Sequence, residues 1–257
     1  MKQRIVSLCL MLALCLGLLP VTAGAAAPAG QELYVGGVQI SATGYWATDN
    51  AGNVTPAGDT QPADNYIHYD ADTNTLTLHN ARINKELPYS LDIPASSYLL
   101  GSAIGVLNLN GDAALTIRLE GDNVIGDVSY GIELISTSGG NADLTITGGG
   151  ILAVSGSYNG ILVQSNTGDA KLTIQGEARV AAAVTFTTGD GVTVQSAADK
   201  DADLTVDGAS LAAAGGSSYG AGIYFYGPDT PRLTVNNSAM VSASRIAAGA
   251  MLDTPVS

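Results

Sequence analysis

The sequence predicts an all-β chain wound into a parallel β-helix, a solenoid with about three short strands per coil and an N-terminal β cap. Three observations predict it. An apolar–Thr–apolar word recurs along the chain. A Gly or small residue followed by a β-branched one falls between successive words. Short β-branched runs alternate with Gly, Asn, Asp and Ser clusters, and helix signals are few.

The word is Leu76-Thr77-Leu78, Leu115-Thr116-Ile117, Leu144-Thr145-Ile146, Leu172-Thr173-Ile174, Leu204-Thr205-Val206 and Leu233-Thr234-Val235. Its leucines lie 39, 29, 28, 32 and 29 residues apart. Successive strand side chains point to opposite faces, so two apolar residues share one face and Thr takes the other. The second landmark is Ala103-Ile104, Gly131-Ile132, Gly160-Ile161, Gly191-Val192 and Gly222-Ile223. From its β-branched residue to the next leucine is 10 to 12 residues, while the opposite arc runs 17 to 28. One arc therefore has nearly fixed length and the other absorbs insertions, the largest from Asn84 to Leu100. A third run, including Ile151–Val154, Arg179–Ala182 and Leu211–Ala214, completes three strands per repeat. One such coil cannot bury its apolar face, but stacked coils can, at about 4.8 Å per step. A β-sandwich also shows regular turn signals, yet it does not explain one word returning at one phase.

Lys2 and Arg4, the apolar run Ile5–Leu19, Pro20 and the small residues after it have the order of a secretory signal, read as residues 1–29. The run is shorter than the roughly 20 residues of a spanning helix, so no membrane partner is expected once the signal is removed. Both cysteines, Cys9 and Cys15, fall inside the signal, which leaves an exported chain without disulfides. The formal charge is −13, and −15 without Lys2 and Arg4. That disfavours nucleic acid and anionic membrane and permits cations.

Residues 30–75 read as the cap. Leu33–Val35 and Val38–Ile40 flank Gly36-Gly37, and Ile67–Tyr69 leads through Asp70–Asn74 into Leu76–Leu78 as a hairpin. Thr48 to Pro62 reads as a surface loop. Residues 76–257 read as the helix. Counting 17 to 20 residues from Leu233 puts the last landmark at Gly249–Leu252, so the helix is expected to end mid-coil, as a fragment or covered by a partner chain.

Tyr69-Asp70 through Leu78–Ala81, Leu115–Asn123 and Leu144–Gly150 resemble secreted Gram-positive right-handed parallel β-helix proteins of the pectin- and cellulose-binding type. The resemblance implies a secreted, extracellular, non-catalytic polysaccharide binder. It also implies acidic residues near the Gly-Ile landmark that help hold calcium. Here that neighbourhood holds Asp190, with Tyr130, Asn159 and Ala221 in the other coils. The fold also houses lyases and adhesins, so function has to be read from the site.

Tyr130, Tyr158 and Tyr219 precede landmarks and are expected to stack in one ridge, extended by Tyr224 and Tyr226 and interrupted by Thr188. Aromatic faces bind sugar rings, and the coil pitch is close to one pyranose unit. Asp199, Asp201 and Asp203, spaced i, i+2, i+4, are the candidate Ca²⁺ ligands; Asp70, Asp72 and Asn74 share the spacing. His68 and His79 flank the hairpin and could approach each other, without further His or Cys to complete a transition-metal site. Gly216-Ser217-Ser218-Tyr219-Gly220 matches a nucleophile elbow, but a strand-like run follows it and no histidine does. Asp112, Asp122, Asp143, Asp169, Asp203 and Asp229 read as corner residues and Glu120, Glu133 and Glu177 as isolated, so no acid–base pair is assigned and no enzyme is expected. The leading function is polysaccharide binding. The alternative is a surface adhesin or structural solenoid, and an acidic-polysaccharide lyase is third.

Overall fold

The computed structural model describes residues 26–88, 97–99, 101–227 and 231–249. Most of the expected signal segment therefore lies outside the described residues, as do Asp229 and the positions after Gly249. The chain enters through β1 (Gln31–Val35), β2 (Val38–Gln39), β3 (Gly44–Thr48), β4 (Val54–Gly58), β5 (Tyr66–Asp70), β6 (Thr75–His79) and β7 (Arg82–Ile83). Five full coils follow. They are β8 (Ser102–Asn108), β9 (Ala113–Glu120) and β10 (Asp122–Ile125); β11 (Tyr130–Ser136), β12 (Ala142–Gly148) and β13 (Ile151–Gly156); β14 (Asn159–Ser165), β15 (Ala170–Gln175) and β16 (Arg179–Val184); β17 (Asp190–Gln195), β18 (Ala202–Asp207) and β19 (Ser210–Ala214); β20 (Ile223–Tyr226), β21 (Arg232–Asn236) and β22 (Met240–Ala243). The strand β23 (Ile246–Gly249) opens the next coil.

Corresponding strands of successive coils pair in parallel, which makes the molecule a three-sheet β-solenoid. Sheet A collects the first strand of each coil, sheet B the second and sheet C the third. The repeated word sets the register of sheet B, with Leu115, Leu144, Leu172, Leu204 and Leu233 in line. The landmark sets sheet A, with Ile104, Ile132, Ile161, Val192 and Ile223 in line. These rows point inward, are buried through the middle coils, and join Leu152, Val180 and Leu211 of sheet C in one core.

The glycine of the landmark has a steric reason. A Cβ on Gly160 would lie 2.6 Å from the Gly191 carbonyl oxygen and 3.1 Å from the Ala183 nitrogen. A Cβ on Gly191 would meet the Gly222 carbonyl at 2.8 Å. The landmark backbone thus seats directly against the next coil. Gly160→Ala is expected to cost about 1–3 kcal/mol, read as a lower urea midpoint at unchanged slope.

Corners are built from side chains that replace water. Between sheets A and B, the buried Asn108, Ser136, Ser165 and Ser196 bond turn carbonyls, as in Ser136 Oγ to the Gly111 and Gly140 oxygens at 2.8 and 3.0 Å. Beside them, Asp112, Asn141 and Asp169 each accept the backbone N–H of the next coil, at Asn141, Asp169 and Asp201, over 2.8 to 3.0 Å. Between sheets B and C, residues with positive φ turn the chain: Asn80, Gly121, Gly148, Gly176, Gly208 and Asn237.

The cap forms as expected at its hairpins. β1 and β2 pair antiparallel around Gly36-Gly37, and β5 pairs antiparallel with β6. β1 also runs antiparallel along β8, and β3, β4 and β5 extend sheet B, so two of the three sheets are continued at this end.

Four sequence readings are corrected. The first word is out of phase: Leu76 pairs with Ile117 and Leu78 with Leu119, two residues on from the expected partners. Thr48 to Pro62 is not all loop, because β4 pairs antiparallel with β3 there. The last landmark is Ile246, paired with Ile223, because only two residues separate β22 from β23. Asp143 and Asp203 are not corner residues. They lie within β12 and β18, where Asp143, Lys171, Asp203 and Arg232 form an alternating-charge row, with Arg232 Nε 3.3 Å from Asp203 Oδ1.

Candidate functional site

The outer face of sheet A carries the site. The residue after each landmark β-branched position points outward, giving the row Gly105, Glu133, Leu162, Thr193 and Tyr224. Two residues before each landmark β-branched position stands another row, Tyr130, Asn159 and Asp190. Gln195 and Tyr226 form a third, farther along the strands. Tyr130, Asn159, Asp190, Thr193, Tyr224 and Tyr226 line an open groove of about 240 Å³, together with Leu162 and Gln195. From β11 to β20 the groove crosses three coil steps, about 14 Å.

Its centre is polar and its ends aromatic. Asn159 Nδ2 donates to Thr193 Oγ1 at 2.6 Å, and the Thr193 hydroxyl reaches Asp190 Oδ2 at 3.5 Å. The Ala221 N–H donates to Asp190 Oδ1 at 2.6 Å. Partial burial raises the Asp190 carboxyl above its ordinary range, against the pull of Ala221 N–H, the Thr193 hydroxyl and Arg245. Burial also raises the Tyr224 phenol, as do Tyr226 and Asp190. The Tyr224 and Tyr226 rings sit 5.9 Å apart.

At the N-terminal end of the face, Leu87 and Leu99, among the described residues of the first-coil insertion, lie over the sheet. Leu87 and Leu99 are fully buried there against Tyr34, Leu107 and Ile135. The Leu87 N–H bonds the Ser102 carbonyl at 2.9 Å. Next to this cover lies Glu133, only 3% exposed, with the Ser102 hydroxyl donating to its Oε2. Burial pushes its carboxyl up to about 8, and the Ser102 hydroxyl opposes the shift. Tyr130 is raised by burial first, then by Glu133 and Tyr158.

The five candidate tyrosines separate into groups. Tyr130, Tyr224 and Tyr226 line the groove. Tyr158 stacks on Tyr130 at 5.5 Å and packs edge-on against Phe186 at 5.1 Å, forming a rim. Phe186, not Thr188, continues this column. Tyr219 stands apart and 77% exposed, with its carbonyl bonded by Arg245. The single-ridge expectation fails on register: Tyr130 pairs with Asn159, so Tyr158 and Tyr219 stand earlier in their turns.

The acidic triplet is not gathered. Asp199 is exposed and lies 3.8 Å from Lys200 Nζ. Asp201 and Asp203 both face Arg232 at 3.3 Å, and Asp201 takes its place in the corner ladder. Among the described residues, no group of three or more His, Cys, Asp or Glu side chains converges on one point. His68 and His79 each pack on a tyrosine instead, Tyr45 at 4.3 Å and Tyr66 at 4.6 Å, and His79 Nδ1 lies 3.2 Å from Glu120. The Gly216–Gly220 segment leads into the strand β20.

Sequence reasoning missed Glu133 as a buried acid and Leu162, Thr193 and Gln195 as groove residues. The outward row beside the landmark was available from phase alone. The cover that buries Glu133 was not. Comparison with protein-family models, with curated proteins and with solved structures finds no match to this chain. Fold and site together define a parallel β-solenoid with a tyrosine-ended polar groove across one sheet.

Proposed function

We propose that the protein is a secreted, non-catalytic polysaccharide-binding solenoid and that the sheet A groove holds the sugar chain. The observation that carries this reading is the groove itself, with Tyr130 at one end, Tyr224 and Tyr226 at the other, and amide, hydroxyl and carboxylate groups between. Sugar rings offer apolar CH faces to aromatic rings and hydroxyls to such polar groups. The groove is open and smaller than the pockets of roughly 300–1,000 Å³ that enclose small molecules, which suits an extended chain lying across coils. The likeness of the repeat words to polysaccharide-binding β-helices supports the same reading.

The test is binding of the purified protein to an array of plant and microbial polysaccharides, with and without calcium. Retention on at least one glycan is expected. Loss on calcium removal would revive Asp199, Asp201 and Asp203 as ligands. A folded protein that binds no glycan in either condition contradicts the reading. It would leave a structural or adhesive solenoid, the reading that the Tyr130–Tyr158–Phe186 packing column favours.

A further inference from the structure

Among the described residues, the groove lining carries one charged side chain, and it is acidic. Asp190 stands midway between the tyrosine ends, and its two oxygens are used unequally. Oδ1 is fixed by the Ala221 N–H at 2.6 Å, while Oδ2 has only the long 3.5 Å approach of the Thr193 hydroxyl. A carboxylate has about four lone-pair sites, so Oδ2 keeps acceptor capacity facing the groove. Arg245, the cation that acts on Asp190, is exposed and its guanidinium donates to the Tyr219 carbonyl. The surrounding chain has a formal charge of −13. A ligand carboxylate laid along this groove would meet the Asp190 carboxylate in a chain of net negative charge, whereas a hydroxyl or an ammonium would find an acceptor.

We propose that Asp190 sets the ligand class of the groove: polymers of neutral or amine-bearing hexopyranoses, with polyuronates rejected. This rests on the polysaccharide-binding reading above. The Oδ2 position also orders the accepted sugars, because an ammonium donor gains a charge-assisted bond that a hydroxyl does not. A free-amine glucosamine oligomer should therefore bind more tightly than the neutral glucose oligomer of equal length.

The experiment titrates the protein with three oligomers of equal length: cello-oligosaccharide, chitosan oligosaccharide and oligogalacturonate. Each titration is done once in EDTA and once in calcium, at pH 6 and low salt. The expected order is chitosan, then cello-oligosaccharide, with oligogalacturonate weakest by about tenfold or more. Asp190→Asn keeps an oxygen for the Ala221 N–H. It is expected to erase the advantage of chitosan over cello-oligosaccharide and to strengthen oligogalacturonate binding, while a thermal melt checks that the fold is retained. Oligogalacturonate binding as tightly as the neutral oligomer, with or without calcium, overturns the proposal. So does an unchanged order in Asp190→Asn, and in both cases glycan binding itself stands. Binding of none of the three, with glycan binding also absent from the wider array, removes the underlying reading as well.

Discussion

Replacing Glu133 with Gln is expected to stabilise the protein at pH 8 and to flatten its stability between pH 4.5 and 8. Glu133 is buried beside the apolar cover of Leu87 and Leu99, and its carboxyl is raised from 4.5 to about 8. Between those values the folded chain holds a proton that the unfolded chain has released. The native state then binds more protons, so stability falls as pH rises. The contribution is fully present below 4.5 and lost as pH passes through 8. A shift of this size corresponds to a loss on the order of 5 kcal/mol by high pH. The amide of Gln keeps an oxygen for the Ser102 hydroxyl and carries no charge to desolvate. Urea unfolding at pH 5 and pH 8 reads the effect. The wild type should lose several kcal/mol between the two, and Glu133→Gln should lose little. Equal pH dependence in both proteins would place the titrating group elsewhere.

The second large effect concerns the core. Leu172 is fully buried in the middle of the stack, between Leu144 and Leu204. Leu172→Ala should cost about 2–5 kcal/mol, the transfer term plus the cavity that the fixed coil spacing cannot close. Leu233 occupies the same row in the fifth coil but is only partly buried, next to Val235 at 46% exposure. Leu233→Ala should therefore cost less than half as much. Unfolding midpoints of the two variants decide this. Equal costs would mean that the fifth coil is packed as tightly as the third.

The repeat was legible because a solenoid copies one strand's environment into the next. The word from Leu115 to Leu233 and the landmark from Ile104 to Ile223 both sit in the register that their spacing implies. The first word was not legible to the residue. Its strand β6 belongs to the β5–β6 hairpin as well as to the stack, and a slip of two residues leaves every side chain on its own face. Pattern alone cannot detect an even slip. The tyrosine ridge was misjudged for a related reason. Turn lengths before the landmark differ, so Tyr130, Tyr158 and Tyr219 are near-equivalent in sequence but only the first two rings meet. Asp201 read as a metal ligand because its spacing to Asp203 was visible, whereas Asp169 and Arg232, which engage it, lie one coil away on either side. The burial of Glu133 goes with Leu87 and Leu99 lying over sheet A, which is a tertiary event without a local signal.

The central claim, that sheet A's groove binds a sugar chain, is tested most directly by titrating one glycan into two triple variants. The first is Tyr130→Ala/Tyr224→Ala/Tyr226→Ala, which strips both ends of the groove. The second is Tyr45→Ala/His68→Ala/His79→Ala, which strips the other aromatic cluster, on sheet B. Both are compared with the wild type at equal folded fraction. Binding that is weakened about tenfold or more in the first and kept in the second is the expected result. Binding kept in the first and lost in the second would move the site to sheet B and contradict the claim.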